Sequence, residues 1–415
     1  MFKVIEAFSG IGSQAKALKN INCDFKIEHT VEWDINAILA YYCIHNKKQS
    51  QNVQITSEKE VNDYFCSNTF SLDGKKAVTE SQLRKIPKEI KNAIYLASIS
   101  SNNLVSITDV KGESISNDID LFTYSFPCQD LSMCGYWHGN KSGISRDAHN
   151  RSGMLWEVER ILLEMNELDK ILPKFLLMEN VCNILSKTHE SDFNDWKNTL
   201  VKLGYYNKIY CLNAKNFGIP QKRKRAYMLS IFTNNNPILE SRLDIYFKEN
   251  NLEQYVEKDP KRKKTLTDIL CLDYSKESIY SEAKACVPND TPSRRKIFEE
   301  NDHLIHNGFI NNTIVNTVTT KQDRNPNSGV IDFSSDDAKK SQWRYLTPRE
   351  CFKLMGFTDD DFDSLLNVNL MKRKNSVFFS RDVLYKLAGN SIVVNVLEAI
   401  FKQVLDIKQN VLSNS

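Results

Sequence analysis

Short apolar runs alternate with amphipathic stretches from the start of the chain to about residue 231. The runs that predict buried strands are residues 2–8, 27–31, 120–124, 173–178, 209–212 and 226–231. Between them, stretches such as 35–46 and 154–167 have the spacing of amphipathic helices. Strands that alternate with helices favour a parallel sheet with helices on both faces. We therefore predict an α/β domain of the Rossmann type.

The alternation stops after about residue 252, and the chain is polar and irregular up to about Arg344. We expect a second, smaller domain there. Helical patterns return at Pro348–Gly356, where a proline is well placed to begin a helix, and at 392–405, an apolar helix opened by residues 387–391. Residues 47–106 are rich in Asn, Ser, Lys and Gln and are predicted to be a partly helical surface insertion.

Composition is that of a globular protein in a reducing compartment. The chain has 415 residues, of which 26% are charged and 41% hydrophobic, and its apolar runs are too short to span a bilayer. Its ten cysteines form no CxxC pair and have no accompanying histidine spacing, so we predict neither a metal site nor a disulfide framework. A cytoplasmic protein with one reactive thiol among structural ones is expected.

Positive charge is clustered although the net charge is only +3. The clusters lie at residues 221–225, 258–264, 293–296 and 371–374. A single basic run is usually a solvated face, but four in the second half of the chain favour a polyanionic partner.

A glycine-rich turn follows the first predicted strand. Gly10, Gly12 and Ala15 form a G-x-G-x-x-A turn into a helix, and Glu32 ends the next strand about twenty residues later. Such glycines let the backbone approach a ligand at the helix N-terminus, and the acid suits a ribose diol. Dehydrogenases and methyltransferases share this pattern, so it predicts a nucleotide site without choosing the cofactor.

Two further side chains lie at the ends of predicted strands. The predicted strand 120–124 continues toward Pro127, which ends it. Cys128 follows Pro127 and leads into the glycine-rich loop 130–153, a predicted lid. A packed, inert Cys128 is the alternative. Glu179 ends the strand 173–178, where burial would raise its pKa and let it donate a hydrogen bond. With Gly10, Glu32 and Asp109, these residues are predicted to converge at the carboxyl edge of one sheet.

With these residues in place, the chain resembles the prokaryotic C5-cytosine-specific DNA methyltransferases. The motifs, which occur in the family's order over nearly the whole chain, are Phe8–Gly12, Glu32–Asp34, Asp109, Phe126–Gln129, Glu179–Val181, Gln221–Arg225, Leu346–Cys351 and Gly389–Ser391. Two departures are Ser9, where alanine is common, and the insertion 47–106. Neither affects the residues of the chemistry.

The resemblance implies a role for each matched residue. Cys128 would be the nucleophile, Glu179 and Arg225 would hold the cytosine edge, and Gln221 and Arg223 would support the loop and backbone nearby. S-adenosylmethionine would be the cofactor, bound by Phe8, Ser9, Gly10, Ile11, Gly12, Glu32, Trp33, Asp109, Pro127, Asn390 and Ser391. Thr317, Thr319 and Arg324 are the candidate DNA contacts.

The resemblance also implies domains and partners. Residues 1–253 with 381–415 would form the catalytic, S-adenosylmethionine-binding domain, 254–343 the target-recognition domain, and 344–380 a hinge segment. The partner would be double-stranded DNA, with a cognate restriction endonuclease as an option that implies no physical complex. We expect a monomer with no membrane association, near the nucleoid of a bacterium or a phage-infected cell.

Three other functions fit parts of the sequence. The tRNA-methylating branch of the same family shares Cys128, Glu179 and the cofactor motifs, but it has a small recognition domain, unlike the roughly ninety residues here. A nicotinamide dehydrogenase would explain Gly10 to Glu32 only. A catalytically inactive DNA-binding regulator would not need Cys128 and Glu179.

Overall fold

The structure is a computed structural model that describes residues 1–46, 57–127, 144, 151–311, 313–368, 370–373 and 376–412. Cys128, nearly all of the predicted lid 130–153 and the first part of the insertion, residues 47–56, lie outside the described residues. The chain divides into two compact units. The first comprises residues 1–212, 224–254 and 397–415, and the second comprises 213–223 and 255–396.

The strands, numbered in chain order, are β1 (Phe2–Ala7), β2 (Phe25–Val31), β3 (Leu121–Tyr124), β4 (Phe175–Val181), β5 (Tyr205–Asn213), β6 (Gln221–Lys222), β7 (Lys224–Phe232), β8 (His303–His306), β9 (Phe309–Ile310), β10 (Val315–Asn316), β11 (Val330–Asp332), β12 (Trp343–Tyr345), β13 (Met371–Arg373) and β14 (Ser376–Val377).

The α-helices of the first unit are Ser13–Asn20, Ile35–His45, Glu58–Ser67, Glu80–Arg84, Lys88–Ser100, Leu155–Glu167, Glu190–Lys202 and Pro237–Glu249. Those of the second unit are Leu266–Ile269, Glu277–Ala285, Pro292–Glu300, Pro348–Leu354, Asp359–Leu366 and Arg381–Asn390. The helix Val394–Asp406 crosses the division between the units and continues as a π-helix, Ile407–Leu412.

A six-stranded sheet with the order β2-β1-β3-β4-β7-β5 organises the first unit. β1, β2, β3 and β4 run parallel, as predicted, but β7 runs antiparallel to β4. The expectation of a wholly parallel sheet was therefore wrong. The reversal matters for the site, because the first residues of β7 lie at the edge where β1, β3 and β4 end.

The core of the first unit lies between this sheet and its helices. The buried strand residues Ile5, Phe122 and Leu176 pack with Leu162 and Trp196 of the helices Leu155–Glu167 and Glu190–Lys202. Burying a Leu, Ile or Phe side chain contributes about 1.5–3 kcal/mol each. The apolar runs of the sequence thus predicted the core strands because their side chains are buried on both faces.

The insertion is more than a surface feature in its described part. Its helix Lys88–Ser100 packs against the helix Ile35–His45 and buries Ile90 and Ile94 completely or nearly so. The interpretation of 47–106 as a surface insertion was wrong for this helix. The two isoleucines are four residues apart, a spacing that indicates a buried helix face, but the polar residues around them made it hard to recognise.

The second unit is built on a four-stranded sheet with the order β12-β11-β8-β9. Buried Trp343, Tyr345 and Val330 form a small core over it. A fully buried ion pair, Arg344–Glu350, joins β12 to the helix Pro348–Leu354, with two Nη–Oε distances of 2.9 Å. The predicted helix after Pro348 is confirmed, and its Thr347–Glu350 capping box explains where it begins.

The last part of the chain differs from its prediction. Gly389 and Asn390 end the helix Arg381–Asn390, whereas we expected them to open the next one. Among the described residues, the stretch Arg381–Leu412 is long and apolar enough to cross a membrane by length and composition alone. A share of 67% of its apolar window is buried inside the protein, which is typical of a core helix.

Candidate active site

The turn after β1 has a backbone conformation that few side chains adopt. Phe8, Gly10 and Gly12 have φ values of 56°, 55° and 77°, in the left-handed region. Nε2 of His45 lies 3.0 Å from the carbonyl of Ile11, and a Cβ at Gly12 would overlap the His45 ring. Glycine at position 12 is therefore required both by φ and by the close approach of the helix Ile35–His45.

Glu32 holds the same turn from the end of β2. Its Oε2 accepts a hydrogen bond from the amide of Gly10 at 3.0 Å, and its Oε1 accepts one from the amide of Asp34 at 2.9 Å. Asn103 fixes Glu32 in turn, because its side chain bonds both the amide and the carbonyl of Glu32, at 3.0 and 2.9 Å. The carboxylate is thus placed beside the glycine turn, as the sequence predicted.

The segment that leads to Cys128 is held by the two neighbouring strands. The Ser125 hydroxyl lies 3.5 Å from the carbonyl of Phe8, and the buried amide of Asn180 donates to the carbonyl of Phe126 at 3.1 Å. These contacts bring the end of β3 beside the glycine turn and beside the end of β4. Pro127 is half-buried at the last described position before Cys128.

Glu179 and Arg225 form an ion pair at this edge. Glu179 lies near the end of β4 and Arg225 near the start of β7, where Val181 pairs with Arg225 across the two strands. Nε of Arg225 is 3.5 Å from Oε1 of Glu179, and the two side chains are only 17% and 13% exposed. The antiparallel strand β7 therefore brings a guanidinium to the carboxylate at the carboxyl edge of the sheet.

A pair of thiols lies close to the same strand end. Cys182 follows β4 directly, and its Sγ is 3.3 Å from Sγ of Cys211 on β5. Hydrogen bonding with the Cys182 thiol, assisted by the charge of Lys224, lowers the pKa of Cys211 to about 7. A test of Cys128 therefore has to control for Cys211.

Gln221 and Arg223 belong to the second unit and bind its backbone. Gln221 donates to the carbonyl of Leu354 at 2.8 Å and accepts from the amide of Val318 at 3.0 Å. Arg223 donates to the carbonyls of Val318, Gly389 and Ser391 at 2.9–3.0 Å. Both side chains are buried and contact main-chain atoms, which suits a supporting role.

Comparisons with known proteins all find methyltransferases. The family profile "C-5 cytosine-specific DNA methylase" matches residues 84–406. The type II methyltransferase M2.ScrFI of Lactococcus lactis subsp. cremoris is 32% identical over 406 residues, which cover 97% of this chain and 99% of that protein. The orphan methyltransferase M.SssI of Spiroplasma monobiae is also 32% identical, over 97% of each chain.

This chain belongs to the C-5 cytosine-specific DNA methylase family. The fold agrees: the crystal structure of the S. pombe Dnmt2 methyltransferase matches with a TM-score of 0.60, covering 99% of this chain and 100% of that one. At 18% identity, that likeness shows the fold alone. The predicted family, the Rossmann-like methyltransferase fold and the enzyme class are confirmed.

The glycine turn fits S-adenosylmethionine, which this family generally uses. A Cβ at Gly10 would have no atom of a described residue within 4 Å, so none of the described residues covers the backbone of the turn on that side. Glu32 ends the adjacent strand, and Trp33 is half-buried next to it. Ser9 and Ile11 are buried within the turn. An adenosyl group could therefore lie against exposed main chain, with a carboxylate near its ribose.

Three further predicted cofactor residues of this methylase lie outside the glycine turn. Asp109 is exposed in a turn, so the expectation that it ends a strand was wrong, and its role at the cofactor stays a prediction. Asn390 and Ser391 lie in the second unit, at the end of a helix, and their role at the cofactor stays a prediction.

The predicted DNA contacts all lie in the second unit. The Thr317 hydroxyl donates to the carbonyl of Lys222 at 2.7 Å, which ties this segment to the strand β6. Thr319 has a buried hydroxyl with no hydrogen-bond partner among the described residues. The Arg324 side chain is 66% exposed and lies 3.7 Å from Asp323. Of the three, Arg324 is the side chain best placed to reach a large ligand.

Sequence reasoning missed two residues that shape the site, His45 and Asn103. Both act on main-chain atoms of the cofactor turn or of Glu32. His45 is the last residue of an apolar helix, and Asn103 ends the polar insertion. No motif marks either one, because a side chain that binds backbone imposes no pattern on its sequence neighbours.

Proposed function

We propose that this family member methylates C5 of cytosine in a short, specific site of double-stranded DNA. The ion pair of Glu179 and Arg225, at the strand end next to the segment leading to Cys128, is the observation that carries the proposal. The matching family is described as a DNA methylase, and the named relatives are a type II and an orphan methyltransferase, which favours DNA over RNA as the substrate. S-adenosylmethionine would supply an electrophilic methyl group when bound.

Cys128 is proposed as the nucleophile. C5 of cytosine is a poor nucleophile, and addition of a thiolate to C6 makes an enamine whose C5 can accept the methyl group. Loss of the C5 proton then allows the C6–S bond to break, which returns the thiolate and restores the ring double bond. The target base has to leave the duplex stack for these steps, so we propose that it is flipped.

Glu179 and Arg225 are proposed to hold the base during the reaction. Electron density moves toward N3 when the thiolate adds, and a protonated Glu179 would donate a hydrogen bond there. Arg225 would donate to O2. Their pairing before the base enters holds both side chains in a largely buried position, which limits the reorganisation needed later. As the base displaces Arg225 from Glu179, the carboxylate would take up the proton with which it bonds N3.

We propose that residues 254–343, including Thr317, Thr319 and Arg324, read the target, and that Gln221 and Arg223 support them. One named relative is a type II enzyme and another is an orphan, so the family includes both arrangements, and a cognate restriction endonuclease remains one option. The enzyme is proposed to act as a monomer in the cytoplasm, at the nucleoid.

Cys128→Ser tests the mechanism. Wild-type protein with tritiated S-adenosylmethionine should label unmethylated duplex DNA, and bisulfite sequencing should place the label at C5 of cytosine. The serine variant should lose methyl transfer while keeping S-adenosylmethionine binding, because a serine hydroxyl is a far weaker nucleophile than a thiolate. Transfer RNA serves as the alternative substrate, and labelling of it instead of DNA would favour the RNA branch.

Cys211 provides the matched control. DNA with 5-fluorocytosine at the target should trap a covalent complex with wild type and with Cys211→Ser, because fluorine cannot leave C5 as a proton does. No complex should form with Cys128→Ser. If the trapped complex persists in Cys128→Ser and disappears in Cys211→Ser, the nucleophile is Cys211 and the assignment to Cys128 is wrong.

A further inference from the structure

Two histidines of the second unit are brought to one side of the strand β8 by an irregularity in its pairing. His303 and His306 are three residues apart, so a regular strand would direct them to opposite faces. β8 pairs in parallel with β11, and the register shifts so that Val330 lies opposite His303 and Ile331 opposite Ile305. A bulge of this kind turns side chains to a new direction, and the two ring centroids are 5.2 Å apart.

Asp332, the last residue of β11, adds a carboxylate to this pair. Its Oδ2 lies 3.2 Å from Nδ1 of His306. Each of His303, His306 and Asp332 offers one donor atom, and these three atoms lie within 4.8 Å of one another. Two donors on one tetrahedral Zn²⁺ are about 3.3 Å apart, given Zn–N and Zn–O bonds of about 2.0–2.2 Å. The His306–Asp332 separation already has that value.

The other oxygen of Asp332 is the observation that points to a ligand. Oδ1 is buried and has no hydrogen-bond partner among the described residues, whereas Oδ2 also accepts from the amide of Asn307 at 2.9 Å. A buried carboxylate oxygen without a partner is uncommon and requires an explanation. A simple His306–Asp332 ion pair engages Oδ2 only and leaves Oδ1 unexplained.

The residues around the two histidines orient the His303 ring and leave His306 open to solvent, as a metal site requires. Nε2 of His303 lies 2.7 Å from the carbonyl of Phe298, and the two rings pack with centroids 4.2 Å apart. Such a bond orients a ring and leaves its other nitrogen free to bind a metal. A two-residue turn, Asn307–Gly308, closes the hairpin immediately after His306, and the His306 side chain is 57% exposed, which leaves an approach from solvent.

We propose that His303, His306 and Asp332 bind one divalent transition-metal ion of the Zn²⁺ class, with solvent in the remaining position. Two imidazoles and one carboxylate suit Zn²⁺, whereas Ca²⁺ and Mg²⁺ favour sites made of oxygen donors. The sequence lacks a CxxC pair and predicted no metal site, since Asp332 is distant along the chain. The ion would join β8 to β11 and fix the β8–β9 hairpin within the segment proposed to read DNA.

Metal titration of untagged, full-length protein tests the site, after treatment with EDTA and removal of the chelator. Co²⁺ should give visible absorption bands that saturate at about one equivalent, and Zn²⁺ should displace it. His306→Ala and Asp332→Asn should each weaken binding by at least about tenfold, the lower range for disturbing a metal site. Both changes are at partly exposed positions, and circular dichroism checks that the variants fold.

Two control variants and one experiment on wild type sharpen the result. His29→Gln removes a histidine of the first unit, and Cys182→Ser breaks the thiol pair that could also bind Zn²⁺; neither should change the affinity. In wild type, Zn²⁺ should protect His306 from diethyl pyrocarbonate, as read by peptide mass spectrometry. The proposal is overturned if no saturable binding occurs, if both ligand variants bind as wild type does, or if Cys182→Ser abolishes binding.

Discussion

At the scale of single residues, Glu32 shows how one side chain serves both structure and ligand. Its two carboxylate oxygens each accept a backbone amide, from Gly10 and from Asp34, and so set the shape of the cofactor turn. A carboxylate oxygen can accept more than one hydrogen bond, so the group can also accept from a ribose hydroxyl. The structure therefore adds a positioning role to the ligand contact that the sequence suggested.

Glu32→Ala should weaken S-adenosylmethionine binding by roughly ten- to a hundredfold, because an unmade buried hydrogen bond costs about 1–3 kcal/mol. Calorimetry with the purified protein measures this affinity. Glu113→Ala, a change at an exposed carboxylate of the same unit, should bind as wild type does. An unchanged affinity in Glu32→Ala would mean that the carboxylate contributes neither to the turn nor to the ligand.

At the scale of elements, β1 carries a carboxyl group into the centre of the sheet. Glu6 is fully buried and lies between Thr30 of β2 and Thr123 of β3. Burial raises the pKa of Glu6 to about 7, from an ordinary value of 4.5, and its interaction with Tyr41 offsets part of this rise. The folded protein therefore keeps a proton on Glu6 that the unfolded chain loses at lower pH.

This shift predicts a pH dependence of stability. Between about pH 4.5 and 7 the folded state binds more protons at Glu6 than the unfolded state, so its contribution to stability falls as pH rises and stays low above 7. Glu6→Gln cannot ionise, so its stability relative to wild type should rise across this range, by up to about 3 kcal/mol.

Urea denaturation at pH 5, 6, 7 and 8 measures the difference. Glu167→Gln, at an exposed position of the helix Leu155–Glu167, is the matched control and should show no such trend. If the difference between Glu6→Gln and wild type is the same at all four pH values, Glu6 does not hold a proton in the folded state.

At the scale of the whole molecule, the chain leaves the first unit and returns to it twice. Residues 213–223 belong to the second unit although they lie between β5 and β7 of the first, and residues 381–396 belong to the second unit as well. The predicted catalytic domain, residues 1–253 with 381–415, included both segments. The physical reason is visible in Arg223 and Gln221, which bind the backbone of Val318, Gly389, Ser391 and Leu354 within the second unit.

Exchange of residues 254–343 for the matching segment of a family relative with another target site should move the methylated sequence. Gln221 and Arg223 bind the amide and carbonyl of Val318, so a replacement chain can make the same contacts whatever its side chains. Methyl transfer should still depend on Cys128, which lies outside the exchanged segment. Bisulfite sequencing reads the new site, and a folded chimera that still methylates the original site would refute the assignment.

The sequence by itself determined the family and the strands of the first unit, and it suggested most residues of the candidate site. Its apolar runs are recognisable because their side chains are buried on both faces of the sheet. Residues such as Gly12 and Glu179 are recognisable because backbone geometry and chemistry restrict which residue types can stand there. Tertiary structure decided what depends on distant partners. The reversal of β7 that pairs Arg225 with Glu179, the support of Glu32 by Asn103, and the meeting of His303, His306 and Asp332 all join segments whose contacts impose no pattern along the chain.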